Sequence, residues 1–388
     1  MAKNIVICCD GTGNEVEGNL SNVLKLFRIC TKSADQVVYY NPGVGTIASD
    51  DAWSRFKKEF WSLFGLATGY GLDDEIKSAY RFLCERWQPG DRIYLFGFSR
   101  GAYTVRALAG FIYMVGLLPS DQANLIDYAL TAYKRSAAKN LLPLAWSFGR
   151  VTGGRPVPIE FVGVWDTVAS VIVPRWDRVL PTLQTLPYTA TNPSVKTFRH
   201  AMSIGERRRM FRLNRWKSPQ PFVENPFDKD APEVAQDIKQ VWFAGVHSDV
   251  GGGYPENESG PSKYPLAWMI QQAIASGLLI SNRLQRQLIY GESPVGAKEQ
   301  YTAPALEPVH DSLTKGWWIL EWIPKAARWL EWKRKVLLGM YLPQGEPRDL
   351  ERDGATPTIH ESAHQCYAKK GLPENWPASH VTEPIEIT

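Results

Sequence analysis

Three residues have the types and the placement for covalent chemistry: Ser99, Asp166 and His247. Ser99 is the centre of GFSRG, residues 97–101, which fits the G-x-S-x-G nucleophile-elbow pattern. A serine hydroxyl is a poor nucleophile until a base takes its proton and an acid orients that base. On a strand–turn–helix elbow the chain order is serine, then Asp or Glu, then histidine. Asp166 ends the apolar run IEFVGVWD, and His247 follows VWFAGV in GVHSDVGGGY. Asp10 also ends an apolar run but precedes the serine and so breaks the order. A glycine-serine bend is the bland alternative for GFSRG. The strand-like RIYLF before it and the apolar, helix-like AYTVRALAGFIYMVGLL after it supply what the elbow demands.

Acyl transfer also needs two N–H groups aimed at the developing oxyanion. Arg100, next after the serine, supplies one, and the loop DGTGN (10–14) the other through Gly11 or Thr12. Asp10 and Asn14 can hold that loop by side-chain hydrogen bonds, and PGVGT (42–46) is a second loop able to line the site. Asp249, beside the candidate base, reads as a brace for the VGGGY loop or a helix cap. Among the other histidines, His200 lies in a basic, helix-like segment and reads as a surface or packing residue. His310, His364 and His380 sit in polar, loop-like surroundings and read as solvated. His360, in TIHES, stays open as an alternative base, because a late histidine serves many hydrolases of this kind. DGT lacks the aspartate two positions earlier that an aspartyl-phosphate phosphatase needs, since Cys8 stands there. No glycine loop has the Lys-Ser/Thr ending of a P-loop.

These residues need elements that hold them. NIVICC (4–9), QVVYYN (36–41), RIYLFG (92–97), IEFVGVWD (159–166) and QVWFAGVHSD (240–249) are nearly continuous in apolar residues, as strands covered on both faces are. Each stops in Gly, Asp, Asn or Ser. Between them SNVLKLFRIC (21–30) opens on Ser21 as a candidate N-cap, and DDEIKSAYRFLCERW (73–87) spaces Ile76, Tyr80, Leu83 and Trp87 as a helix does. The alternation predicts an α/β-hydrolase-like fold. It is a mostly parallel central sheet with helices on both faces, whose sites lie at the carboxyl ends of the strands. Weaker patterns at about 119–158 and 170–235 read as cap insertions into a core spanning 1–280. Residues 281–343 read as a helical Trp-rich region and 344–388 as an irregular tail packed on the core.

Composition narrows the class. The 388 residues carry 44% hydrophobic and 22% charged side chains, and a net charge of +4 is too small to argue for nucleic acid. Five cysteines without CxxC or metal-ligand spacing argue against a disulfide framework and a zinc site. The start MAKNIVICCDG is no signal peptide, and no segment has the ~18 uninterrupted apolar residues of a membrane span. The expected location is the cytoplasm, unless the protein leaves by a route without a cleavable signal. Five of the 15 tryptophans fall between Trp317 and Trp332, interleaved with Lys325, Arg328, Lys333, Arg334 and Lys335. Ile319, Ile323, Ala327, Leu330 and Arg334 follow helical spacing interrupted by Pro324. The stretch reads either as a cap over the site or as a peripheral membrane contact.

DGTGN, GFSRGA, WDTV, VWFAGVHSDVGGGY, and HDSL leading into WWILEWIP resemble, in that order, the α/β-hydrolase family of the type VI secretion phospholipase effectors and their standalone homologues. The likeness covers residues 3 to about 365; the effectors tend to be larger. It implies a Ser-His-Asp esterase acting on phospholipid or a related lipid ester without cofactor, with Ser99, Asp166 and His247 as its triad. Small soluble or carbohydrate esters are the alternative substrates, and a non-catalytic membrane- or partner-binding role is the alternative function.

Overall fold

The computed structural model describes residues 2–11, 19–43, 71–139, 142–168, 172–173, 182–183, 186–225, 230, 232–293, 296, 299–327 and 330–386. Eight strands form the central sheet: β1 (Asn4–Cys9), β2 (Gln36–Asn41), β3 (Arg92–Phe98), β4 (Ile159–Trp165), β5 (Val195–Ser203), β6 (Asp237–Phe243), β7 (Thr358–His360) and β8 (Val381–Glu383). Their order is β8-β7-β6-β5-β4-β3-β1-β2, and every pairing is parallel. All strand carboxyl ends therefore open on one edge, where the expected site residues lie.

Period-two alternation puts the two faces of β1 into different cores. Ile5, Ile7 and Cys9 pack with α2 (Leu72–Arg86), α3 (Arg100–Val115) and α4 (Ile126–Lys139). Val6 and Cys8 pack on the other face with α1 (Asn22–Ile29) and α7 (Lys263–Ala275). The chain adds α5 (Leu142–Val151) just before β4 and the short α6 (His247–Gly251) between β6 and α7, and after α7 come α8 (Asn282–Tyr290) and α9 (Lys315–Glu321). Ser21 caps α1 as its type predicts, accepting the Leu24 N–H at 3.0 Å. α3 is buried along almost its whole length, which suits its apolar sequence.

Two expectations are corrected here. The segment 170–235 contains β5, a central strand, and His200 sits on it fully buried rather than on a surface helix. Its polar residues misled because each has a private partner: Arg199 pairs with Asp237 at 2.6 Å, and His200 Nε2 accepts the Thr167 N–H at 3.2 Å. The tail is not irregular either. β7, α10 (Glu361–Lys370) and β8 extend the sheet, three-residue strands being too short to show a pattern of their own.

Burial pushes His200 down to about 3, with the Arg106 charge adding to it, and pushes His360 down to about 4. The fold holds both rings neutral, whereas the unfolded chain protonates them near an ordinary ~6.5. Their contribution to stability is thus complete above ~6.5 and is lost as pH falls toward the folded values. We predict a loss of about 2 kcal/mol per ring between pH 6.5 and 5, read by urea denaturation, and a flatter profile for His200→Gln. An unchanged profile in that variant contradicts the assignment.

Candidate active site

Ser99 stands between β3 and α3 with φ 56° and ψ −118°, a conformation that L residues rarely adopt and that costs on the order of 1–3 kcal/mol. Its N–H donates to Trp165 O at 3.1 Å, which ties the turn to the end of β4. The flanking glycines are required by contact. A Cβ on Gly97 would lie 2.4 Å from Gly101 O, and one on Gly101 would lie 2.1 Å from Cys9 O. The turn is therefore wedged against the carboxyl end of β1, and the half-buried Ser99 side chain is left at the sheet edge.

Asp166 follows β4 directly, also at positive φ (40°), and is fully buried. Its Oδ2 lies 2.5 Å from His247 Nδ1. Its Oδ1 accepts the Ser203 N–H at 3.0 Å and the Ser203 hydroxyl at 3.1 Å. Arg348 grips both oxygens, donating to Oδ1 at 2.6 Å and Oδ2 at 3.0 Å. Burial alone would raise this carboxyl, but Arg348 and His247 together hold it well below the usual carboxylate range. The same guanidinium donates to Ser203 O at 3.1 Å and Phe211 O at 2.7 Å, so it is itself fixed.

His247 opens α6 just past β6, and its ring lies between Phe98 (centroids 4.6 Å apart) and Phe211 (4.8 Å). Phe98 immediately precedes Ser99, so the imidazole packs on the nucleophile's own neighbour. Phe98 in turn sits so close to Gly251 that a Cβ there would lie 1.8 Å from the ring, which gives one glycine of VGGGY a physical reason. The His247 N–H donates to Glu206 at 3.2 Å; burial would raise Glu206, but Arg208 outweighs it and the carboxyl is held down to about 2. With Nδ1 facing a carboxylate, the free basic nitrogen is Nε2. A serine on a strained turn, whose neighbour Phe98 packs on an imidazole bonded to a buried carboxylate, supplies the parts that acyl transfer uses.

The remaining expected residues divide. Arg100 begins α3, where a backbone N–H has no intrahelical acceptor, and its side chain pairs with buried Glu75 at 2.6 Å. The Gly11 N–H is taken by Asp10 Oδ1 at 2.7 Å, so Gly11 does not offer it to an oxyanion; Thr12 and Asn14 lie outside the described residues, as does most of PGVGT. Asp10 holds its loop, accepting also from Tyr40 at 2.8 Å and from the Ser21 hydroxyl. Asp249 caps α6 through the Val246 N–H at 2.9 Å. His310 is not solvated: it bridges Asp249 (2.7 Å) and Glu258 (3.1 Å) and stacks on Tyr254. His360 is not brought to Asp166; it is buried, stacks on Phe243 and caps α10. Among the described residues no cluster of three or more His, Cys, Asp or Glu could hold a metal ion, and no helix is long and apolar enough to cross a membrane.

The Trp-rich stretch is not one helix. α9 ends at Glu321 before Pro324, and Lys325–Ala326 then pairs with Met340–Tyr341 as a small antiparallel ribbon. Trp317 is buried against Phe211 at 5.6 Å, one ring removed from His247. Glu206 and Arg348 had no signal in the sequence. Glu206 is hidden in the basic run GERRR, and Arg348 lies far from every motif.

A family model described as the catalytic domain of Tle1-like type VI secretion phospholipase effectors matches residues 3–272. The chain belongs to this family. The uncharacterized protein YEL023C of Saccharomyces cerevisiae is 35% identical over 240 residues, which is 58% of this chain and 34% of that one; the chain thus spans about a third of this curated relative. Among solved structures, an uncharacterized protein from Pseudomonas aeruginosa aligns with 20% identity and a TM-score of 0.40, over 73% of this chain and 47% of that one. The Tle1 effector bound to the VgrG spike aligns with 20% identity and a TM-score of 0.33, over 66% of this chain and 51% of that one.

In this Tle1-like chain the matched segment ends well before Arg348 and the Trp-rich stretch. The C-terminal part thus inserts a cation into the centre of the matched domain. Arg348→Met leaves the Asp166 charge buried with one partner fewer, and we predict a loss of about 3–5 kcal/mol in urea denaturation. Adding Asp166→Asn removes that charge and should recover part of the loss; strict additivity of the two changes would contradict the pairing.

Proposed function

We propose that the protein is a serine hydrolase of carboxyl esters, acting on acyl esters of lipids. The observation that carries this reading is the buried Asp166–His247 contact of 2.5 Å, packed through Phe98 against a serine on a strained turn. Membership of a phospholipase effector family supports the lipid class.

In the proposed reaction Ser99 Oγ attacks the acyl carbonyl carbon while its proton passes to His247 Nε2. The electron pair of the carbonyl moves to oxygen, where the Arg100 N–H donates. Collapse expels the alcohol, which takes the proton from His247, and leaves an acyl-Ser99 ester. Water then attacks that ester as His247 takes its proton, and the acid departs as Ser99 is re-protonated. Asp166 stays charged throughout because Arg348 and His247 hold it far below the pH at which enzymes work. The acid limb of activity therefore belongs to a group other than Asp166. Arg348 touches no reacting atom and acts as a positioning residue.

Hydrolysis of a short-chain soluble ester and of phospholipid vesicles tests this reading. Ser99→Ala and His247→Ala should each lose about 10⁶-fold in kcat on both substrates, with His360→Ala near wild type. Turnover of soluble esters alone would remove lipid as the substrate. An active Ser99→Ala would remove the serine mechanism.

A further inference from the structure

The ribbon that follows α9 is built inside out. Its acid faces the protein: the Glu331 side chain, 6% exposed, lies among Arg209 (3.3 Å), Arg212 (2.9 Å) and Arg352 (3.0 Å). Arg209 also reaches Glu346 at 2.9 Å and its N–H donates to buried Glu321 at 2.7 Å. Arg334 turns inward as well, donating to the Pro343 and Gln344 carbonyls. The outer surface is apolar, with Ile319, Trp322, Ile323 and Val336 exposed, Leu337 77% exposed and Leu338 95% exposed. Leu338 and Gly339 form the turn at φ 50° and 74°, the left-handed region that suits Gly or Asn far better than a leucine. A chain that buries its acids and holds a leucine at a strained, fully solvated tip is arranged for an apolar medium outside it.

Charge identifies the medium. From Lys315 to Tyr341 the only acids are Glu321 and Glu331, both turned inward, whereas Lys315, Lys333 and Lys335 are exposed. An apolar tip rimmed by cations and free of exposed acids complements an anionic lipid surface. The tip is also coupled to the site, since Trp317 of α9 packs on Phe211 and Phe211 on His247. We infer that the Val336–Leu338 turn and the exposed face of α9 form a lipid-docking surface that seats the active-site edge on anionic membranes. This rests on the lipid-ester reading and names the surface through which that substrate is met.

The test is co-sedimentation of the Ser99→Ala protein, which leaves lipid intact, with vesicles of phosphatidylcholine alone or mixed with phosphatidylglycerol. We expect binding to the mixed vesicles that weakens with salt. Leu337→Asp with Leu338→Asp, or Lys333→Glu with Lys335→Glu, should lower it by about tenfold or more. Placed in otherwise wild-type protein, the same pairs should leave turnover of a short-chain soluble ester unchanged, which shows that they fold. Absence of vesicle binding, or binding indifferent to both pairs, overturns the inference. So does light scattering that shows a wild-type dimer made monomeric by the leucine pair, because a second copy then covers the tip. Protein that binds vesicles but cleaves no ester sinks the hydrolase reading alone; protein that cleaves soluble esters but never pellets sinks the docking surface alone.

Discussion

A carboxylate with no exposed surface stays charged only where the protein surrounds it with donors, and Asp166 is such a group. Its partners come from the end of β5 (Ser203), the start of α6 (His247) and the C-terminal segment (Arg348), while its own N–H donates to Ala201 O at 2.8 Å. Three distant parts of the chain therefore converge on one side chain. The convergence fixes the imidazole, and the imidazole is the group on which the proposed chemistry turns. Arg348 is held in its turn by Asn375, whose amide donates to the Arg348 carbonyl at 2.9 Å. The C-terminal segment is thereby fastened to the sheet it helps to complete.

The glycines of the conspicuous motifs serve the same convergence by close approach. Gly101 lets the Ser99 turn press on the end of β1, and Gly251 lets Phe98 lie against α6 with the His247 ring on its face. In each case a methyl group would displace backbone or an aromatic ring, and the displacement would reach Ser99 or His247 within one contact. Strain at Ser99 persists because the neighbouring strands leave the turn no other path.

How much of this was legible in the sequence depended on whether a residue's role is local. β1, β2, β3 and β4, the elbow and the strand before His247 announce themselves through apolar runs that end in turn residues. The order Ser99, Asp166, His247 follows from their positions at those ends. β5 was not legible because Arg199 and His200 look solvated in a string of letters; tertiary partners such as Asp237, Gln272 and the Thr167 N–H make them admissible inside a sheet. Glu206 and Arg348 were invisible for the same reason on a longer scale, their partners being set by tertiary placement alone. The stretch 317–332 was legible in part. The helical spacing from Ile319 to Arg334 carried its own interruption at Pro324, and α9 does end before it; the ion pairs of Glu331, which turn the polar side inward, had no signal in the sequence.

The central claim is that Ser99 is made nucleophilic by an imidazole that Asp166 orients. The most direct measurement is peptide mapping by mass spectrometry after reaction with a fluorophosphonate. The account predicts one adduct per chain, on the peptide that carries Ser99, forming far more slowly in Asp166→Asn. A folded wild-type protein that gives no adduct, or one that carries it on another residue, would contradict it.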